Sequence, residues 1–322
     1  MNGEAWPELP LAAWRDTCDT VHLWMQVVGK VKLELAPFLN EWWQVTLHVT
    51  ARGMTTGLIP WRDGGFDVTF DFISHSLIIA CSDGRTKEIA LVPRSVAAFY
   101  AEFMAALRAL DIDVTIETLP AEVPDPIRCD VDEVHASYDP EYANRWWRIL
   151  VHTDTALQRF RSPFVGKSSP IHFFWGSFDL SHTRFSGRAA PPPSGPRFLR
   201  VAEDQENFTC GFWPGSLTMS GLTLDEPAYF AYFYPMPEGI TQAALRPSEA
   251  RWDEQVGEFL LPYSAVRTAA DPARALLDFL SSVYEAGASL AGWDRAVLEA
   301  APPNLRRQTA DSNASDGRAF GA

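Results

Sequence analysis

A chain of 322 residues has room for about two domains, and its 47% hydrophobic and 21% charged residues are those of an ordinary globular protein. Its 41 acidic and 27 basic side chains leave a formal charge of −14, and the longest basic run is Arg306-Arg307. Nucleic acid and anionic membranes, which are held through cationic patches, are therefore not expected as partners.

From the N-terminus, Val21, Trp24, Met25 and Val28 recur at helical spacing, which predicts a helix to about Leu35, stopped by Pro37. Trp43, Val45, Leu47, Val49 and Ala51 then alternate with Gln44, Thr46, His48, Thr50 and Arg52, the pattern of a half-buried strand. Trp42 falls in the polar row, where a large ring suits a ligand platform or a lid contact. Phe66, Val68, Phe70 and Phe72 alternate with Asp67, Thr69 and Asp71, and Asp83-Gly84 marks a hairpin between Ser76–Cys81 and Lys87–Val92. Ser95 caps a helix with Val96, Phe99, Phe103 and Leu107 on one stripe. Glu117 to Pro140 holds seven acids, one arginine and four prolines, and reads as an interdomain linker or an irregular excursion.

The pattern then restarts. Asp139-Pro140 opens a helix carrying Trp146, Trp147, Leu150, Leu157 and Phe160. Strand-like runs follow at Ile171–Phe185, Phe208–Trp213, Ala228–Tyr234 and Gly257–Leu261, and Asp271-Pro272 opens a last helix. The strand-to-helix junctions Leu91–Val96 and Leu260–Val266 share the letters L-P-S-V in order. The expected fold is α+β: residues 1–116 and 141–300 as two pseudo-repeats of helix, four antiparallel strands and helix, joined by the linker 117–140 and followed by a disordered tail, 301–322. The two sheets would join edge to edge in a saddle, which removes two exposed edges. A two-layer α/β sandwich without duplication is the alternative.

The densest polar stretch is Ser169–Arg188, SPIHFFWGSFDLSHTRFSGR. At strict period two its strand would put polar residues on both faces; a bulge at Gly176-Ser177 repairs the pattern. Ile171, Phe173, Trp175, Phe178 and Leu180 then share a buried face, and His172, Ser177, Asp179, Ser181 and Thr183 share the other. Asp179 would orient His172 or bind a ligand donor, while Lys167, Arg184 and Arg188 would engage an anionic group. The competing reading is that Asp179 and Arg184 pair and pin the following loop.

HLWMQVVGK at His22–Lys30, NEWWQVTLHVTARGMTTGLIP at Asn40–Pro60, GKSSPIHFFWGSFDLSHTRFSGR at Gly166–Arg188, GFWPG at Gly211–Gly215 and YEAGASLAGWDR near the end form an ordered set. Together they resemble a bacterial protein family catalogued as domain of unknown function 5996, from about Trp6 to about Arg295. The resemblance implies a cytosolic bacterial protein and carries no activity with it. Where that family has a His-Glu pair ahead of GFWPG, this chain has Gln205-Glu206, so no imidazole chemistry is implied there.

The histidines show no metal-ligand spacing, and no glycine run forms a dinucleotide fingerprint or phosphate loop, so neither metal nor cofactor is expected. No G-x-S-x-G elbow is present, and Cys210 reads as a buried thiol. Cys18, Cys81, Cys129 and Cys210 lack C-x-x-C spacing and suit reduced thiols. With no basic-apolar leader in MNGEAWPELP and no run near the ~20 apolar residues of a membrane span, a cytoplasmic location is expected. The expected function is binding of a small, anionic molecule on the polar sheet face, by Trp42, His48, Arg52, Lys167, His172, Trp175, Asp179, Arg184, Arg188, Glu206 and Trp213. A hydrolase or transferase using His172 (or His75) with Asp179, and a peptide-binding interaction module, are the alternatives.

Overall fold

The structure, a computed structural model, describes residues 4–194, 197–215, 224 and 226–300. Helix α1 (Leu11–Leu35) is its central element, buried on every side from Thr20 to Lys32, as expected of a helix that is apolar most of the way round there. It ends at Ala36, one residue before Pro37.

Six strands follow: β1 (His48–Val49), β2 (Gly53–Thr55), β3 (Ile59–Trp61), β4 (Gly64–Asp71), β5 (Ser76–Cys81) and β6 (Thr86–Ala90). They form an antiparallel sheet in the order β1-β2-β4-β5-β6, with β3 pairing the start of β4 beside β2. Gly84 takes φ +90 in the β5–β6 turn, a conformation that favours glycine. Helix α2 (Val96–Ala109) closes this half, and the Ser95 hydroxyl caps it by accepting from Ala98 N–H.

Helix α3 (Pro140–Arg161), capped by Asp139, opens the second half. Its strands are β7 (His172–Phe174), β8 (Asp179–Ala189), β9 (Gln205–Trp213), β10 (Ala228–Tyr234), β11 (Arg251–Asp253) and β12 (Glu258–Pro262), with α4 (Arg197–Ala202) between β8 and β9. The sheet runs β11-β12-β10-β9-β8-β7. Helices α5 (Tyr263–Thr268), α6 (Pro272–Leu290) and α7 (Arg295–Leu298) complete the described chain. Among the described residues no helix is long and apolar enough to cross a membrane.

The fold is α+β, with two antiparallel sheets of six strands each where four were expected. The surplus in the first is β2 and β3, which both pair with β4. In the second it is β11, added outside β12, and the division of the run Ile171–Phe185 into β7 and β8. The sheets meet at their edges, where Leu47 and Phe173 exchange backbone hydrogen bonds of 2.9 and 2.8 Å. The helices cover one face, with α3 on β8 and α6 on β10.

Two expectations fail. The strand predicted from Trp43 is a 3-10 segment, Asn40–Val45, followed by the two-residue β1; Glu41 and Trp42 take φ 49 and 61, so the alternation carries no strand. The run Ile171–Phe185 is a hairpin, not one bulged strand: β7 turns at residues 175–178 and β8 returns, pairing His172 with Ser181 and Phe174 with Asp179. That turn packs on α1, where Gly29 lacks the Cβ that would lie 2.3 Å from the Trp175 indole.

The segment from Glu117 to Pro140 has no regular secondary structure before α3 and is packed along α1. Gln26 clamps Ala121 with two hydrogen bonds, 2.7 Å to its carbonyl and 2.8 Å from its N–H. Thr17 and Thr20 accept from Asp139 and Ser137, and Tyr138 stacks on Trp24 at 5.6 Å. Asp132 holds a local turn by accepting from Val134 and His135 N–H. The predicted tail, 301–322, lies outside the described residues.

Candidate functional site

Period two sends Leu180, His182 and Arg184 of β8 toward the helices and Asp179, Ser181, Thr183 and Phe185 to the opposite face. That opposite face of the second sheet is the floor of a cavity of about 450 Å³, a size that holds small molecules. Strands β9, β10 and β12 extend the floor with Thr209, Tyr232 and Glu258. The roof comes from elsewhere: Glu41 and Trp43 on the 3-10 segment, Glu122 on the strap along α1, and Glu203 after α4.

Carboxylates dominate the polar lining. Glu41 is paired with Lys167 at 2.5 Å. Glu203 accepts from Asn207 Nδ2 and, at 3.2 Å, from the Tyr232 hydroxyl. The Ser177 hydroxyl donates to Asp179. The Glu122 and Glu258 side chains make no hydrogen bond or ion pair to another described residue. Burial pushes Glu122 up to about 7 and Glu258 up to about 8, and the Asp179 charge adds to both. Asp179 is itself pushed up to about 6 by burial, against the pull of its Ser177 hydrogen bond. The walls between these acids are aromatic: Trp43, Phe174, Phe185, Trp213, Phe230 and Tyr232.

His172 lines the same cavity with 0% of its surface exposed, and neither ring nitrogen has a hydrogen-bond partner among the described residues. Phe174 and Trp43 meet its ring edge-on at 4.7 and 6.4 Å. Burial first, then the nearby His48 and Lys32, lower its pKa to about 3. Lys32 stands behind it on α1, donating to the Thr46 and Thr56 carbonyls at 2.5 Å each; burial lowers it to about 8.

Of the residues expected to form a site, His172, Asp179 and Trp213 line this cavity. So do Ser177, Ser181 and Thr183, the companions expected on that face. The others do not converge on it. Trp42 meets Phe38 edge-on at 5.2 Å, and its neighbour Trp43 supplies the cavity wall instead. His48 lies on β1, and Arg52 pairs with Asp71 at 2.6 Å. Trp175 donates from Nε1 to Val45 O at 2.8 Å. Arg188 pairs with Glu206 at 2.6 Å and reaches the Ala291 carbonyl. Arg184, on the far face from Asp179, lies over the Phe160 and Tyr284 rings at 3.5 and 4.4 Å and donates to Phe160 O.

The expected cationic cradle for an anion is therefore not assembled, and neither is the Asp179–Arg184 pair. Asp179 does not orient His172 either, since it is bound to Ser177. His75 donates or accepts with Tyr138 at 2.8 Å, far in the fold from the cavity floor. Cys210 is buried with its thiol pushed up to about 12, the state of an inert thiol. Among the described residues no three His, Cys, Asp or Glu side chains are arranged to hold a metal ion.

Glu41, Glu122, Glu203 and Glu258 were not foreseen. Glu258 sits in a readable strand, opposite-facing to buried Phe259; Glu122, in an acidic run with φ 58, carries no pattern at all.

Comparison with curated proteins gives no match, and comparison with solved structures gives none. The family of unknown function DUF5996 matches residues 6–300, nearly the whole described chain, and the protein belongs to that family.

Proposed function

We propose that this protein binds a small organic cation, an amine with an apolar body, in the cavity over the second sheet. The observation that carries the reading is that Glu122 and Glu258, both half-buried, line an aromatic-walled cavity with no ion-pair partner among the described residues. Taking a carboxylate out of water without a partner is costly, and an ammonium ion supplies the missing charge. Aromatic faces add cation–π attraction for the same ligand, about 0.5–2 kcal/mol per contact. Lys167, the cation nearest the roof, is already committed to Glu41 and lies 4.4 Å over the Phe185 ring.

The test is calorimetric titration with cyclohexylamine, cyclohexanol and cyclohexanecarboxylate, which share a ring and differ in charge. The amine is expected to bind and the carboxylate is not. Glu258→Gln is expected to weaken the amine by about tenfold, the scale of one charge-assisted hydrogen bond. Preferential binding of the carboxylate would refute the reading.

We further read the protein as cytoplasmic, without nucleic-acid affinity, and its halves as copies of one unit. The free cysteines, the −14 charge and the shared order of helix, sheet and helix support these readings.

A further inference from the structure

We propose that the cation held in this cavity also carries a hydroxyl or carbonyl group, and that His172 recognises it. The inference rests on the amine reading and adds the second functional group of the ligand.

Buried side-chain nitrogens nearly always have a partner. His172 has two without one among the described residues, at the start of β7 and at a wall of the cavity. Phe174 and Trp43 flank the ring edge-on at 4.7 and 6.4 Å. Lys32 and His48 lie on its protein side and oppose a positive charge on the ring. The imidazole is therefore neutral, with one donor and one acceptor nitrogen. Such a group does not select an ammonium or a carboxylate by charge. It selects a neutral polar group, which a hydroxyl satisfies by donating or accepting and a carbonyl by accepting.

The floor beside it has the same character. Ser181 lies directly across from His172 in the β7–β8 pair, and the Thr183 and Thr209 hydroxyls are 2.9 Å apart along the adjoining strands. Asp179 is the diagonal neighbour of His172 in that pair, roughly 7–8 Å away between backbones. Glu122 closes over the same corner, packed against Gly176. The cavity thus places a neutral hydrogen-bonding pole and an anionic pole one short carbon skeleton apart. A hydroxylated amine, of the amino-alcohol or amino-sugar kind, matches both poles.

The experiment compares cyclohexylamine with trans-4-aminocyclohexanol by calorimetry on the full chain. The two share ring and charge and differ by one hydroxyl. The wild-type protein is expected to bind the amino alcohol about tenfold more tightly. His172→Phe, which keeps an aromatic ring and removes both nitrogens, is expected to erase that preference, read as the ratio of the two amines' affinities in the same variant. His172→Gln, which restores a donor and an acceptor, is expected to retain part of it. Equal affinity of the two amines for the wild-type protein overturns this inference and leaves the amine reading standing, and this comparison needs no variant to fold. A preference that persists in His172→Phe overturns it as well. If neither amine binds, the amine reading fails and this inference falls with it.

Discussion

Asp179 and Arg184 stand an odd number of residues apart on one strand, so they face opposite sides of the sheet and serve different ends. Arg184 is a cation buried without a carboxylate partner, held by the Phe160, Phe164 and Tyr284 rings and one carbonyl. Its stem and guanidinium fill the space between the sheet and helices α3 and α6. Arg184→Ala is expected to cost about 2–4 kcal/mol, as other large-to-small core changes do, with amine affinity unchanged. Asp179→Asn is expected to cost little stability at pH 8, because it removes a buried charge, and to weaken amine binding. Urea denaturation of the two single variants and the double should be additive within about 0.5 kcal/mol. A coupling above about 1 kcal/mol would mean that the two side chains act as a pair after all.

Glu122 reaches the cavity because the strap that carries it is fastened to α1. Gln26 holds the Ala121 peptide from both sides, and His22 meets Gly176 O at 3.0 Å on the turn below. Gly176 lets the carboxylate approach; a Cβ there would lie 2.3 Å from Glu122 Oε1. Gly176→Ala is therefore expected to displace Glu122 and weaken amine binding severalfold with the rest of the fold retained. Unchanged affinity in that variant would remove Glu122 from the site. Elements with chemical punctuation were legible in advance: the caps at Ser95, Asp139 and Asp271 and the span of β10. The misread segments turn on left-handed residues that are not glycine, Glu41, Trp42 and Phe178, and residue type gives no warning of those. The polar face of the β7–β8 hairpin was legible because a hairpin conserves facing across its paired strands. Glu122 was not, since its position comes from tertiary contacts with α1.

At the scale of the molecule, a floor from the second sheet is roofed by pieces of the first half, the strap and the segment after α4. The acids so enclosed make stability depend on pH. Glu258 and Glu122, raised to about 8 and about 7, keep their protons in the folded chain after the unfolded chain has released them. Stability contributed in acid is therefore lost as pH rises from about 4.5 through those values. His22 and His172, lowered to about 4 and about 3, act in the opposite sense: the unfolded chain protonates first as pH falls below about 6.5. The empty protein is thus expected to melt highest near pH 6, by calorimetry across pH 4–9. An organic cation that pairs with these carboxylates must displace their protons. The most direct measurement is titration of cyclohexylamine at pH 6 and pH 8.5, each in two buffers of different ionisation enthalpy. The account predicts affinity that rises with pH, and protons released to the buffer at pH 6. Affinity independent of pH with no proton release, or binding of cyclohexanecarboxylate in place of the amine, would contradict it.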